Sequence, residues 1–193
     1  MLKPVMCLIY LLGMVLFLSG CASAGTSRTH FVSWQEEVKL NDGRVIVATQ
    51  KRLCERAYTG QEVVNCIERE SWITVSLPEF SKQPIVWNQR LMPHILNIHN
   101  GKLYVVGWPP TQFEFKFYGS PRPPYVGYRF DGESWVRIPF KEIPLPIYDT
   151  NLVVDIGSFK SKLLTLTLKA TTGFNGDPNI SREQIKIDPN LEW

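Results

Sequence analysis

The sequence predicts an all-β protein, an antiparallel sheet or sandwich built from hairpins, with little helix. Three observations predict it. Apolar residues recur at every second position in segment after segment from Trp34 onward, Asp-Gly and Asn-Gly pairs sit between such segments, and fourteen prolines with thirteen glycines interrupt any longer helical window. Alternation buries one side of a strand and wets the other, and those dipeptides supply the positive φ angles that tight hairpins need.

The elements follow in order. In "EEVKLNDGRVIVATQ" a two-residue turn at Asp42-Gly43 sets Leu40 opposite Val45 and Val38 opposite Val47, with Ile46 on the other face. "ESWITVSL" supplies a strand that stops before Pro78. In "ILNIHNGKLYVVG" the Asn100-Gly101 turn pairs Ile98 with Leu103 and Leu96 with Val105 on a core face, and His99 with Lys102 and Asn97 with Tyr104 on a wetter one. "QFEFKFY" alternates Phe113, Phe115 and Phe117 against Gln112, Glu114 and Lys116, the pattern of a half-buried strand. "YVGYRFDGESWVRIPF" turns at Asp131-Gly132, and "LLTLTLK" puts Leu164, Leu166 and Leu168 on one side. "SREQ" at 181 has the form of a helix capping box, but "IKI" after it alternates and Pro189 closes the segment. Glycine turns followed by aromatic strands resemble pieces of propeller blades. A closed ring of at least four blades of about 40 to 50 residues needs more chain than this, so a sandwich or an open curved sheet is expected.

The amino-terminal residues 1–20 stand apart from the fold. Lys3 is their only charge, and Val5 to Phe17 form an apolar run of signal-peptide length, shorter than the about twenty residues of a membrane span. Leu18-Ser19-Gly20-Cys21 follows it. This stretch resembles the lipobox of bacterial lipoprotein precursors, a resemblance confined to the signal region. It implies cleavage before Cys21, a diacylglyceryl group on the cysteine sulfur and acylation of the new amino terminus. Each buried acyl methylene contributes about 0.8 kcal/mol, and more than one chain makes the anchoring durable. In that family an aspartate after the cysteine retains the protein at the inner membrane. Ala22 stands here, which implies the inner leaflet of the outer membrane, facing the periplasm. Residues 21–30 are expected to form a flexible tether carrying lipidated Cys21, and 31–193 a single all-β domain. The small, polar stretch from Ala22 to Thr29 reaches at most about 28 Å when extended.

Of four cysteines, Cys7 leaves with the signal and Cys21 takes lipid, so Cys54 and Cys66 remain alone in an oxidising compartment and are expected to form a disulfide. Their spacing is far from the C-x-x-C of redox-active pairs and suits a structural staple. Loss of Lys3 from 21 basic residues leaves 20 against 18 acidic ones. So slight and dispersed an excess implies neither a nucleic-acid partner nor a polybasic membrane contact.

Motifs for catalysis are absent. There is no G-x-S-x-G elbow and no S-x-x-K, and the paired cysteines supply no thiolate. His94 and His99 are separated by an odd number of strand positions and His30 lies in the tether, so no metal site is expected, and no cofactor. Adjacent Glu36 and Glu37 face opposite sides of a strand and cannot flank one glycosidic bond. They are read, with Asp131 and Asp149, as surface or turn carboxylates.

Residues 117–140 interleave Tyr118, Tyr125, Tyr128 and Trp135 with Arg122, Arg129 and Arg137, residue types enriched at binding hot spots. Arg122, Tyr125, Tyr128 and Arg129 are the candidate partner contact. The reading preferred over it places Val126, Tyr128, Phe130 and Trp135 on the inner face of a hairpin with arginines at its edge. The function expected is that of a lipid-anchored, periplasm-facing outer-membrane lipoprotein with a non-catalytic, protein-binding or structural role, its partners the membrane and an envelope protein. The alternatives are a cell-wall glycan binder or hydrolase, and an immunity-type inhibitor of a periplasmic toxin.

Overall fold

The computed structural model describes residues 28–59, 62–154, 163–171 and 186–192. The signal, Cys21, most of the tether and the "SREQ" segment lie outside them. Within them the chain is all-β, with nine strands in two sheets. The first sheet has the order β4-β3-β2-β1-β9, from β1 (Thr29–Lys39), β2 (Val45–Thr59), β3 (Glu62–Val75), β4 (Ile85–Gln89) and β9 (Leu163–Leu164). Its pairs are antiparallel except β1 with β9. The second is an antiparallel meander of β5 (Met92–His99), β6 (Lys102–Trp108), β7 (Val126–Phe130) and β8 (Trp135–Ile138).

The β5–β6 hairpin has the expected register, with Ile98 opposite Leu103 and Leu96 opposite Val105. Asn100 and Gly101 both take positive φ, 48° and 67°, as a type I′ turn requires. The β1–β2 hairpin does not. Leu40 N donates to Arg44 O at 2.8 Å and Gly43 N to Leu40 O at 3.0 Å, so Asn41, Asp42 and Gly43 form a three-residue loop with Gly43 at φ 87°. One extra loop residue slips the register by one, placing Val38 opposite Ile46 and Glu37 opposite Val47. Ala48 and Gln50 therefore turn inward, and Val45 and Val47 stay exposed. The expected pairs of Leu40 with Val45 and Val38 with Val47 are not formed.

The main core lies between the sheets. Val38, Ala48, Ile73, Val75, Ile85 and Trp87 of the first pack on Leu96, Ile98, Leu103, Val105, Tyr128 and Phe130 of the second. The other face of the second sheet, expected to be wetter, is also covered. Ile95, Tyr104, Val106 and Ile138 pack there against Ile143, Ile147, Tyr148 and Ile187, on short 3-10 turns and the carboxy-terminal segment. The fit is close at Gly127, where a Cβ would meet Ile143 Cγ1 at 2.8 Å. The outer face of the first sheet remains open, with Phe31, Val45, Val47 and Val86 exposed.

Two segments expected as strands are helical. α1 (Gln112–Phe117) replaces the alternating strand, because Thr111 caps it: its Oγ1 accepts from Phe113 N at 3.2 Å and donates to the Glu114 carboxylate. Phe115 enters the core, while Phe113 and Phe117, one turn apart, face solvent. "LLTLTLK" divides into β9 and α2 (Leu166–Thr171). At the start of α2, Glu37 Oε2 accepts from Leu166 N at 2.9 Å.

Candidate contact surface and the buried polar network

The expected disulfide between Cys54 and Cys66 is present. β2 and β3 outrun their neighbours: β1 pairs with β2 only as far as Glu55, and β4 with β3 only as far as Ser71. Beyond Glu55 and Ile67 a bare two-stranded ribbon continues through Ala57–Val64 and Thr59–Glu62 pairs. Such a ribbon is marginal alone, and the staple sits at its root.

The four residues of the candidate partner contact do not form one surface. Tyr125 is buried, with its hydroxyl accepting from Asp188 N at 3.3 Å and its ring stacked near Phe140. Tyr128 is buried on the inner face of β7, donating to Gln89 Oε1 at 2.9 Å. Burial raises both phenol pKa values. Arg129 is half-buried and Arg122 exposed. The inner-face reading describes this hairpin: Val126, Tyr128 and Phe130 belong to the core, with Trp135 packed against it. Sequence alternation identified the strand, but tyrosine serves as well inside as outside, provided its hydroxyl finds a partner.

Aromatic rings do face solvent on α1. Phe113 is 62% and Phe117 59% exposed, and Arg90 lies over the Phe117 ring at 5.0 Å. Arg69, the extra residue of a bulge in β3, joins Glu55 at 2.7 Å and Glu114 at 3.6 Å, which fixes the helix to the sheet. Tyr118, just after the helix, accepts from Arg90 N at 3.1 Å. Leu53, Arg69, Glu70, Arg90, Phe113 and Glu114 line a shallow groove of about 490 Å³. Phe31, 58% exposed, stands opposite Leu53 on β1 and so extends this surface across the sheet. The sequence signal for it was "TQFE" after two prolines, a capping box inside a pattern that also reads as a strand.

The inner face of the first sheet holds a second group that sequence reading placed outside. Glu36, expected at the surface, is fully buried. Its Oε2 accepts from Lys169 Nζ at 2.6 Å and from Val153 N at 3.0 Å, and its carboxylate also accepts from Gln50 and from Trp34 Nε1. Lys169 Nζ donates further to Glu37 O and Asn151 O, each at 2.8 Å. Arg52 donates to Val153 O at 2.9 Å and to Val154 O, pairs with Glu68 at 3.2 Å and lies over the Trp34 ring at 4.6 Å. Ser71 donates to Glu68, whose pKa is raised by burial against the opposing effects of Arg52 and Ser71. Glu36, Gln50 and Arg52 thus hold the main chain of Val153–Val154 with side chains, much as they would hold a peptide. The arrangement closes a strap, Asn151 to Val154, over the polar half of the sheet. His94, buried nearby, is held neutral, its pKa lowered to about 4 by burial and by Arg52. Its Nε2, Arg52 Nε and Trp87 Nε1 have no hydrogen-bond partner among the described residues.

Asp131 is the expected turn carboxylate, accepting from Glu133 N and Ser134 N. Asp149 is exposed, as expected. Among the described residues no group of three His, Cys, Asp or Glu is placed to hold a metal ion, and no helix is long and apolar enough to cross a membrane. Comparison with family models, curated proteins and solved structures gives no match.

Proposed function

We propose that this chain is a lipid-anchored envelope protein, held through Cys21 in the inner leaflet of the outer membrane, that acts by contact and structure rather than by catalysis. One observation carries the non-catalytic half of the reading: Glu36 and Lys169, buried side by side, spend their hydrogen bonds on one another, on Trp34 and Gln50, and on the main chain of Glu37, Asn151 and Val153. A lysine whose three protons are all donated, and a carboxylate saturated by four donors, have little left for a substrate. The anchor rests on Leu18-Ser19-Gly20-Cys21 behind an apolar run. Glycan binding by exposed rings is the weaker reading. Phe31 and Trp72 meet edge to face at 5.9 Å with Lys51 over both, so this pair presents no flat platform for a sugar.

Two measurements test the reading. Cys21→Ser should abolish acyl labelling and block processing to mature size; normal labelling and processing of that variant would end the anchor proposal. Crosslinking of the full-length protein in intact cells should recover an envelope protein. Release of soluble products from purified cell-wall glycan by the purified wild type, absent from a heat-denatured control, would overturn the non-catalytic reading.

A further inference from the structure

Thr29 begins β1 beside Glu55, and Arg28 O accepts from Arg56 N at 2.7 Å, so the tether leaves the domain at the root of the β2–β3 ribbon. The Phe31, Leu53 and Phe113 surface lies at that same end. The Asn41–Gly43 loop and the Asn100–Gly101 turn lie together at the other, where they line a common groove. A tether of at most about 28 Å keeps the first end near whatever holds Cys21.

The charge at the tether end is unbalanced. Arg28, Arg56, Arg90 and Lys116 are exposed, and among the described residues none of them has an ion-pair partner. Glu55 and Glu114 are already taken by Arg69, leaving Glu70 as the carboxylate beside the groove. Exposed aromatic rings beside unpaired cations are the combination that binds the headgroup region of an anionic bilayer. The rings enter the acyl boundary and the cations meet lipid phosphates. The high local concentration set by a short tether lets so small a patch suffice.

We propose that Phe113 and Phe117, with Phe31, Arg90 and Lys116, dock on the anionic lipid surface that carries the anchor, fixing the domain with the Asn41–Gly43 and Asn100–Gly101 turns directed away from the bilayer. The proposal rests on the Cys21 anchor.

The full-length acylated protein, reconstituted in phosphatidylethanolamine–phosphatidylglycerol vesicles, carries a polarity-sensitive fluorophore at Gln112→Cys or, as the distal control, at Lys102→Cys. The protein should float with the vesicles. The probe at 112 should shift to the blue and be quenched by nitroxide-labelled acyl chains, and the probe at 102 should do neither. High salt, or Phe113→Ser with Phe117→Ser, should remove the response at 112 while flotation persists. Failure to float defeats the anchor, and the docking with it. Flotation with equal responses at 112 and 102, or with none, overturns the docking alone. A photoreactive residue at 113 that labels an envelope protein and no lipid in intact cells overturns it in favour of a protein partner.

Discussion

The hydroxyl of Tyr128 reaches Gln89 Oε1, at 2.9 Å, from inside the core, and thereby ties the second sheet to the end of β4 in the first. Tyr118 shares the same acceptor at 3.2 Å. Tyr128→Phe keeps the ring and should cost about 1 kcal/mol in urea denaturation. Tyr125→Ala removes a ring packed against Trp108 and Phe140 and should cost roughly 3 kcal/mol. Arg122→Ala should leave the denaturation midpoint where it is. An unchanged midpoint for Tyr125→Ala would mean that this ring does not pack as described.

Lys169 and Glu36 form a buried pair, and breaking it on one side strands a charge. Lys169→Met should destabilise the protein by about 3–5 kcal/mol. Adding Glu36→Gln should recover part of the loss, because the stranded carboxylate is then neutral. A double-mutant cycle reads the coupling directly, and strictly additive effects would count against the pair.

His94 makes stability depend on pH. Its pKa is lowered to about 4 in the folded protein from 6.5, so between those values the unfolded chain binds the proton and the folded one does not. The stability that neutral His94 permits is full above pH 6.5 and falls as pH drops toward 4, by about 3 kcal/mol in all. Urea midpoints measured across this window should therefore slope less in His94→Gln than in wild type. Parallel slopes would show that other groups set the dependence.

The disulfide should matter most to the ribbon it staples. Non-reducing peptide mapping should find Cys54 joined to Cys66, and replacing both with alanine should cost up to about 3 kcal/mol. Limited proteolysis should then cut between residues 54 and 66 first. A cut elsewhere in the domain before this segment would place the weak point differently.

Much of this fold was legible because short-range chemistry decides it. Asn100-Gly101 specifies a two-residue turn whose register the structure keeps, and Cys54 and Cys66 were the pair left in the folded domain. Asp42-Gly43 misled because Asn41 joins the loop, and a single added residue reverses which valines are buried. Phe113, Phe115 and Phe117 fit a strand or a short helix equally, and Thr111 with Glu114 decides for the helix. The burial of Glu36 could not be read from its neighbours. Its partners Val153 and Lys169 lie 117 and 133 residues away, and nothing local distinguishes such a carboxylate from Glu37.

That separation also orders events in time. The second sheet is a meander of consecutive strands, so it can assemble from one contiguous stretch of chain, whereas the polar half of the first sheet waits for the strap. A chain that emerges amino terminus first presents Glu36 and Arg52 long before Val153 and Lys169 arrive. In the interval both charges are solvated by water, at no desolvation cost. The strap that arrives after the second sheet is the segment that dries them.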